Sequence, residues 1–211
     1  MLDLVVKSGL VVDGTGKAPY LADVGIHRGK IAAIDRSMSL EGERTVDATG
    51  LVTAPGFVDM HSHTDRSILR NLGAGSSLLQ GITTEITGMC GGSAAPMTDE
   101  GAERYKRMAQ ERGMGPVEIP YRSVAQFLEH LDRTGIGTNL ALMVGQGTVR
   151  GNVLGRDKRY PTDDELETMK RMVRDAMEEG AFGITTGRPY VPGCFASIRE
   201  IVELGRVVGE Y

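Results

Sequence analysis

Ala54-Pro-Gly-Phe-Val-Asp-Met-His-Ser-His63 is the stretch on which the reading of this chain turns. Two turn formers, Pro55 and Gly56, release a short apolar run, Phe57-Val58, which leads to two histidines one residue apart. Along an extended strand successive side chains alternate faces, so His61 and His63 are expected to point one way and Ser62 the other. Two imidazoles about 7 Å apart on one face, at the end of a buried strand, can grip one metal ion. Hydrogen bonding near a strand end is the plainer use for such a pair. The Pro-Gly entry, the apolar run and the following Thr64-Asp65 tilt the reading towards metal.

Upstream of this stretch the chain reads as short strands and turns. Leu4-Val5-Val6, Leu10-Val11-Val12, Asp23-Val24-Gly25-Ile26 and Lys30-Ile31-Ala32-Ala33-Ile34 are separated by Ser8-Gly9, Asp13-Gly14-Thr15-Gly16 and Arg28-Gly29. That spacing predicts hairpins and a small antiparallel sheet, with Thr45–Thr53 adding a further strand pair. Gly14-Thr-Gly-Lys17 lacks the spacing and the following Ser or Thr of a phosphate loop, so it reads as a turn. His27 falls near a hairpin tip, the place of a solvated histidine.

Downstream the rhythm changes to strand, helix, strand. Ile82–Thr87, Asn139–Val144 and Ala181–Thr186 are strand candidates. Val124, Phe127, Leu128 and Leu131 keep helical spacing behind Ser123, a good N-cap. Leu166, Met169, Val173, Ala176 and Met177 do so behind a Thr162-x-x-Glu165 capping box, with Gly180 as the stop. Ser197-x-x-Glu200 opens another helix, and the methionines at helical spacing are core fillers. His130 is expected at the surface, and Asp163-Asp164 and Glu178-Glu179 on solvated helix faces. Strands alternating with helices predict an α/β fold of about four parallel βα units.

Composition narrows the function classes. A net charge of −4 without a Lys/Arg stripe gives nucleic acid no electrostatic footprint. The sequence contains no apolar run long enough for a transmembrane helix, so no membrane partner is expected. Met1-Leu-Asp-Leu-Val-Val-Lys7 has no basic n-region and is not expected to be a signal peptide. Two cysteines are too few for a disulfide framework, which points to a reducing, cytoplasmic setting.

One of those cysteines carries the second chemical signal. Cys90 lies in Gly88-Met-Cys-Gly-Gly-Ser-Ala-Ala-Pro96, after the strand that follows the histidine pair. One βα unit separates His63 from Cys90, so the two strand ends are expected to be neighbours. A lone cysteine is ordinarily a small hydrophobe. Between glycines at a strand end it offers a thiolate to complete a nitrogen and sulfur site suited to zinc. Cys194 has no such context.

Pro55–Asp65, Gln80-Gly-Ile-Thr-Thr84, Gly88-x-Cys-Gly91, and Gly180–Gly187 with Tyr190-Val-Pro-Gly193 together resemble the N-acyl-D-amino-acid deacylase (D-aminoacylase) branch of the amidohydrolase superfamily. The likeness runs in order along essentially the whole chain, and the cysteine on the second strand is the mark of this branch. The resemblance implies a (β/α)8 metal-dependent hydrolase barrel carrying a small β-sandwich. Residues 1–54 would supply the N-terminal part of the sandwich and residues 55–211 the first half of the barrel. Cys90 would bind the tighter zinc, His61 and His63 a second, weaker metal, and Tyr190 would lie near the substrate carboxylate. A turn aromatic packed on Pro189 and Pro192 is the alternative role for Tyr190.

The implied reaction is hydrolysis of an N-acyl-D-amino acid, a small-molecule substrate, to a carboxylic acid and a free D-amino acid. Zinc polarises the amide carbonyl and acidifies bound water, and an aspartate moves the proton to the leaving amine. That aspartate, the other zinc histidines and the last four strands correspond to positions beyond Tyr211. The catalytic base is therefore not assigned here, and the chain is expected to need a C-terminal half or to form an oligomer. Two departures stand out: Gly145-Gln146-Gly147 occurs where the family has Gly-His-Gly, and Arg188-Pro189 precedes Tyr190. Glutamine cannot act as a general acid or base. The alternatives are a cyclic-amide hydrolase, which usually needs a metal-bridging lysine missing from these strand ends, and a truncated, non-catalytic interaction protein.

Overall fold

Ser8-Gly9 is not a turn but a bulge inside one long strand, β1 (Leu2–Val11). Ser8 takes a left-handed backbone with φ of 57°. Its N–H is met by the buried Asp23 carboxylate at 2.8 Å, while Lys7 Nζ lies 3.0 Å from the other carboxylate oxygen. A buried acid with both partners in place lets the strand run on through the irregularity. β2 (Tyr20–His27) and β3 (Lys30–Asp35) follow as the expected antiparallel hairpins. The next two strands correct the expectation: β4 (Gly42–Asp47) and β5 (Val52–Thr53) both run parallel to β1 and do not form a hairpin. His27 Nδ1 sits 3.0 Å from Asp3 Oδ1, so a side-chain partner accounts for it.

The computed structural model describes residues 1–113 and 115–211, which divide into two units, Met1–Gly56 and Phe57–Tyr211. The second unit is mixed α/β. Its strands β6 (Phe57–Asp59), β7 (Ile82–Thr87) and β8 (Asn139–Leu142) form a parallel sheet in that order. The expected strand through Val144 breaks at Met143, whose N–H bonds the Thr87 carbonyl at 2.9 Å. Beyond the break, β9 (Val144–Gly145) pairs with β10 (Ile184–Thr185), which is shorter than the expected Ala181–Thr186; before it the Phe182 N–H bonds the Leu142 carbonyl and the Val144 N–H the Gly183 carbonyl. β6 and β10 are both left as edges, so these strands do not close into a barrel.

Helices α1 (Gly75–Leu78), α2 (Asp99–Glu111), α3 (Val124–Thr134), α4 (Gln146–Leu154), α5 (Asp163–Glu178) and α6 (Ile198–Val208) fill the connections. Full capping boxes open α3 at Ser123 and α5 at Thr162. The stripe Val124, Phe127, Leu131 and the stripe Leu166, Met169, Val173, Ala176 are buried, as their spacing requires. Burial of the larger of these side chains stabilises by about 1.5–3 kcal/mol each. His130, expected at the surface, is half-buried. Among the described residues no helix is long and apolar enough to cross a membrane.

Candidate metal centre

Parallel strands place the loops that follow them at one end of the sheet, and these loops carry the candidate residues. β6 ends at Asp59, so His61 and His63 lie just past the strand and not on it. The alternation nevertheless persists. Ser62 N–H bonds the Ile86 carbonyl at 3.0 Å, keeping the chain beside β7, and the Ser62 side chain is buried while both imidazoles are exposed. The two rings stand edge to face, 5.7 Å between centroids. Asp59 fixes the approach by accepting the His61 N–H at 3.0 Å.

Cys90 reaches the same spot from the end of β7. Its own φ is 55°, between Gly88 at 77° and Gly91 at 73°, a run of left-handed residues that folds the thiol back over the strand ends. The fold leaves no space for side chains around it: a Cβ on Gly88 would strike the Met143 carbonyl, and one on Gly187 the Cys90 carbonyl. Thr185 ties the loop to β10, accepting from Gly91 N at 3.2 Å and donating to the Gly88 carbonyl at 2.5 Å. One ligand atom from each of His61, His63 and Cys90 lies within 4.8 Å of the others, and His61 Nε2 is 3.2 Å from Cys90 Sγ. Tetrahedral zinc needs such atoms about 3.3–3.6 Å apart. The donor set fits a zinc ion, with the His61–Cys90 pair already near that separation, and no carboxylate among the described residues belongs to this cluster.

A sequence profile of the amidohydrolase family matches residues 44–203. The chain belongs to the amidohydrolase family. Within it, this amidohydrolase is D-aminoacylase-like. It is 35% identical over 204 residues to the D-aminoacylase of Alcaligenes xylosoxydans xylosoxydans, covering 97% of this chain and 41% of that protein. It is also 35% identical over 208 residues to the N-acyl-D-glutamate deacylase of the same organism, with coverage of 98% and 41%. A crystal structure of N-acyl-D-glutamate deacylase from Bordetella bronchiseptica, complexed with zinc and a phosphonate mimic of the tetrahedral intermediate, superposes with a TM-score of 0.87 at 34% identity. The match covers 99% of this chain and 43% of that one, so this amidohydrolase spans about two fifths of the length of these relatives.

The remaining predicted positions of the amidohydrolase are placed unequally. Tyr190 is exposed on the loop after β10, and its ring edge would lie 3.0 Å from a Cβ on Gly187, the residue packed on Cys90. It thus stands beside the metal-ligand loop. Cys194 is a half-buried free thiol whose N–H bonds the Tyr190 carbonyl. Gln146 opens α4 and is fully buried. Its amide donates to Glu200 Oε1 at 2.6 Å, and Arg150 donates to Glu200 Oε2 at 2.5 Å, all three side chains being inaccessible to solvent. Burial pushes the Glu200 carboxyl above its ordinary value, with Arg150 and then Gln146 pulling it back. Gln146 therefore faces an internal ion pair through its amide, while its Oε1 has no hydrogen-bond partner among the described residues.

Two buried acids hold the backbone around the cluster: Asp65, which the sequence offered only as part of the histidine motif, and Glu85, which it did not single out. Glu85 on β7 accepts hydrogen bonds from four hydroxyls: Ser62 at 3.1 Å, Thr64 at 2.6 Å, Ser77 at 3.2 Å and Thr138 at 2.9 Å. Asp65 accepts from Gly88 N at 3.3 Å and Ala94 N at 2.7 Å, pinning both ends of the Cys90 loop. Burial raises the Asp65 carboxyl above its usual range. The available signal for Glu85 was an acid inside a run otherwise made of Ile and Thr.

Proposed function

We propose that this amidohydrolase is the first half of a (β/α)8 barrel, with residues 1–54 contributing to a β-sandwich, in a zinc-dependent deacylase of N-acyl-D-amino acids. The convergence of His61, His63 and Cys90 within 4.8 Å at the strand ends carries the reading. Similarity to the deacylases named above supports the substrate class, and the zinc in the Bordetella enzyme supports the metal. His61, His63 and Cys90 would hold the metal, and Tyr190 would contact the substrate carboxylate from the adjoining loop. Zinc when bound supplies a Lewis acid for the amide carbonyl and a bound water that ionises near neutral pH. The chain's own part is to present a thiolate and two imidazoles and to keep the ring of His61 against the sulfur. General-base work is assigned to a group outside these residues, because no carboxylate joins the ligand cluster.

The test uses the polypeptide as its source makes it. Purified protein should contain zinc and release amino acid from N-acetyl-D-amino acids but not from the L-enantiomers. Cys90→Ala should lose the metal and the activity together. Zinc-free protein with full activity, or equal rates on both enantiomers, would refute the reading.

A further inference from the structure

We propose that Glu85 is the positioning residue of the histidine pair: it binds no metal, but holds the Ser62–Thr64 backbone in the one arrangement that brings both imidazoles to Cys90. The inference rests on the zinc reading above and goes beyond it, because it assigns a role to a side chain outside the ligand set. Glu85 is only 2% exposed, and the hydrogen-bond partners found for its carboxylate are hydroxyls, none of them cationic. A buried carboxylate without a cation is costly unless every lone pair is engaged. Three hydroxyls, of Ser62, Thr64 and Ser77, converge on Oε1 and that of Thr138 reaches Oε2, and two of the four flank His63.

The connection to the imidazoles is direct. Ser62 sits between the two histidines, and its side chain points into the protein because Glu85 accepts its hydroxyl. Thr64 follows His63; its hydroxyl is 2.6 Å from the same Glu85 oxygen and 2.7 Å from Ser62 Oγ. The Thr64 N–H also donates to Ser62 Oγ at 3.1 Å. Ser62, Thr64 and Glu85 Oε1 thus cluster within hydrogen-bond distance of one another around the one backbone position between the rings. Rotating Ser62 outward would break its bond to Glu85 and the one it accepts from the Thr64 N–H, and turn His61 and His63 away from Cys90. Ser77 and Thr138 bond the same carboxylate from α1's segment and the approach to β8, so they anchor Glu85 without touching the histidine stretch. In many metal sites the outer carboxylate binds the far nitrogen of an imidazole. Here it grips the residues beside the imidazoles instead.

The experiment measures zinc affinity by chelator competition, and the cobalt(II) spectrum, on the polypeptide as its source makes it. Glu85→Gln keeps the shape but puts an amide donor where hydroxyls donate, and is expected to weaken zinc binding about 10- to 100-fold and to alter the thiolate-to-cobalt band. Thr64→Val should do likewise, whereas Thr64→Ser, which keeps the hydroxyl, should bind as wild type. Ser77→Ala should lower the melting temperature while leaving zinc affinity in place. A merely structural Glu85 would lower the melting temperature in all these variants and leave metal binding unchanged; that result overturns the proposal and leaves the zinc reading standing. Should Glu85→Gln fail to fold, the Thr64→Val and Thr64→Ser pair decides. Wild-type zinc binding in Cys90→Ala and in His61→Ala would instead remove the zinc reading, and the proposal with it.

Discussion

A single side chain, Asp65, holds both ends of the loop that carries Cys90. One carboxylate oxygen accepts from Gly88 N and the other from Ala94 N, and the residue is fully buried. Asparagine at this position would keep one acceptor and turn its amide against the second N–H, two donors face to face. We predict that Asp65→Asn destabilises the protein by about 1–3 kcal/mol in urea unfolding. It should also speed alkylation of Cys90, measured in a Cys194→Ser background, because the loop end at Ala94 comes free. Unchanged unfolding and alkylation would show that the two N–H groups find other partners. The histidine pair and Cys90 could be picked out from the sequence because strand alternation and one βα unit of spacing are local rules. The roles of Asp65 and Glu85 could not: Asp65 is visible only as part of the histidine motif and Glu85 only as an acid among Ile and Thr, while their partners lie up to 53 residues away.

At the scale of elements, the N-terminus of α5 shows how local chemistry sets a pH response. Glu165 closes the capping box by accepting the Thr162 N–H at 2.8 Å, and Arg159 binds both its oxygens, at 2.6 and 2.7 Å. The Arg159 guanidinium holds the Glu165 carboxyl down to about 2, against an unfolded value of about 4.3. A lowered folded value means that the charged carboxylate favours the folded state. Its contribution is complete above about pH 4.3 and fades as the pH falls towards about 2. Both side chains meet solvent, so the gain is modest and weakened by salt. Arg159→Met should therefore lower the melting temperature at pH 6, with the gap to wild type closing by pH 2. A gap of constant size across that range would place the effect in packing, not charge. The capped helices were legible because an N-cap and an apolar stripe leave a written pattern. α4 left none. Gln146, Gly147, Val149, Arg150, Gly151 and Leu154 are buried around nearly its whole circumference, so it has no polar face to mark its period. The break at Met143 was equally hidden, since it depends on the Thr87 carbonyl across the sheet and not on any turn former. The parallel pairing of β4 and β5 with β1 escaped for the same reason: strand spacing suggests pairs, but direction is decided by tertiary packing.

At the scale of the whole molecule, the three loops that follow β6, β7 and β10 gather the candidate site residues, while β6 and β10 are left with open sides. β6 is an edge, with Phe57 61% and Val58 53% exposed, and Phe182, just before the edge strand β10, is 73% exposed. Unpaired backbone beside large apolar side chains is a template for further pairing. The ligand cluster is open in a second sense, for it contains two imidazoles and a thiol but no carboxylate to take a proton from water. The two observations yield one prediction for these 211 residues expressed by themselves. They should bind zinc through His61, His63 and Cys90, associate or aggregate on size-exclusion chromatography, and fail to turn over N-acetyl-D-amino acids even in excess zinc. On the proposed reading, a polypeptide of the relatives' full length should run as a defined species and be active. Zinc-restored, steady turnover by the 211 residues alone would mean that a group already on the chain serves as the base. Asp59, which accepts the His61 N–H, would then be the residue to change first.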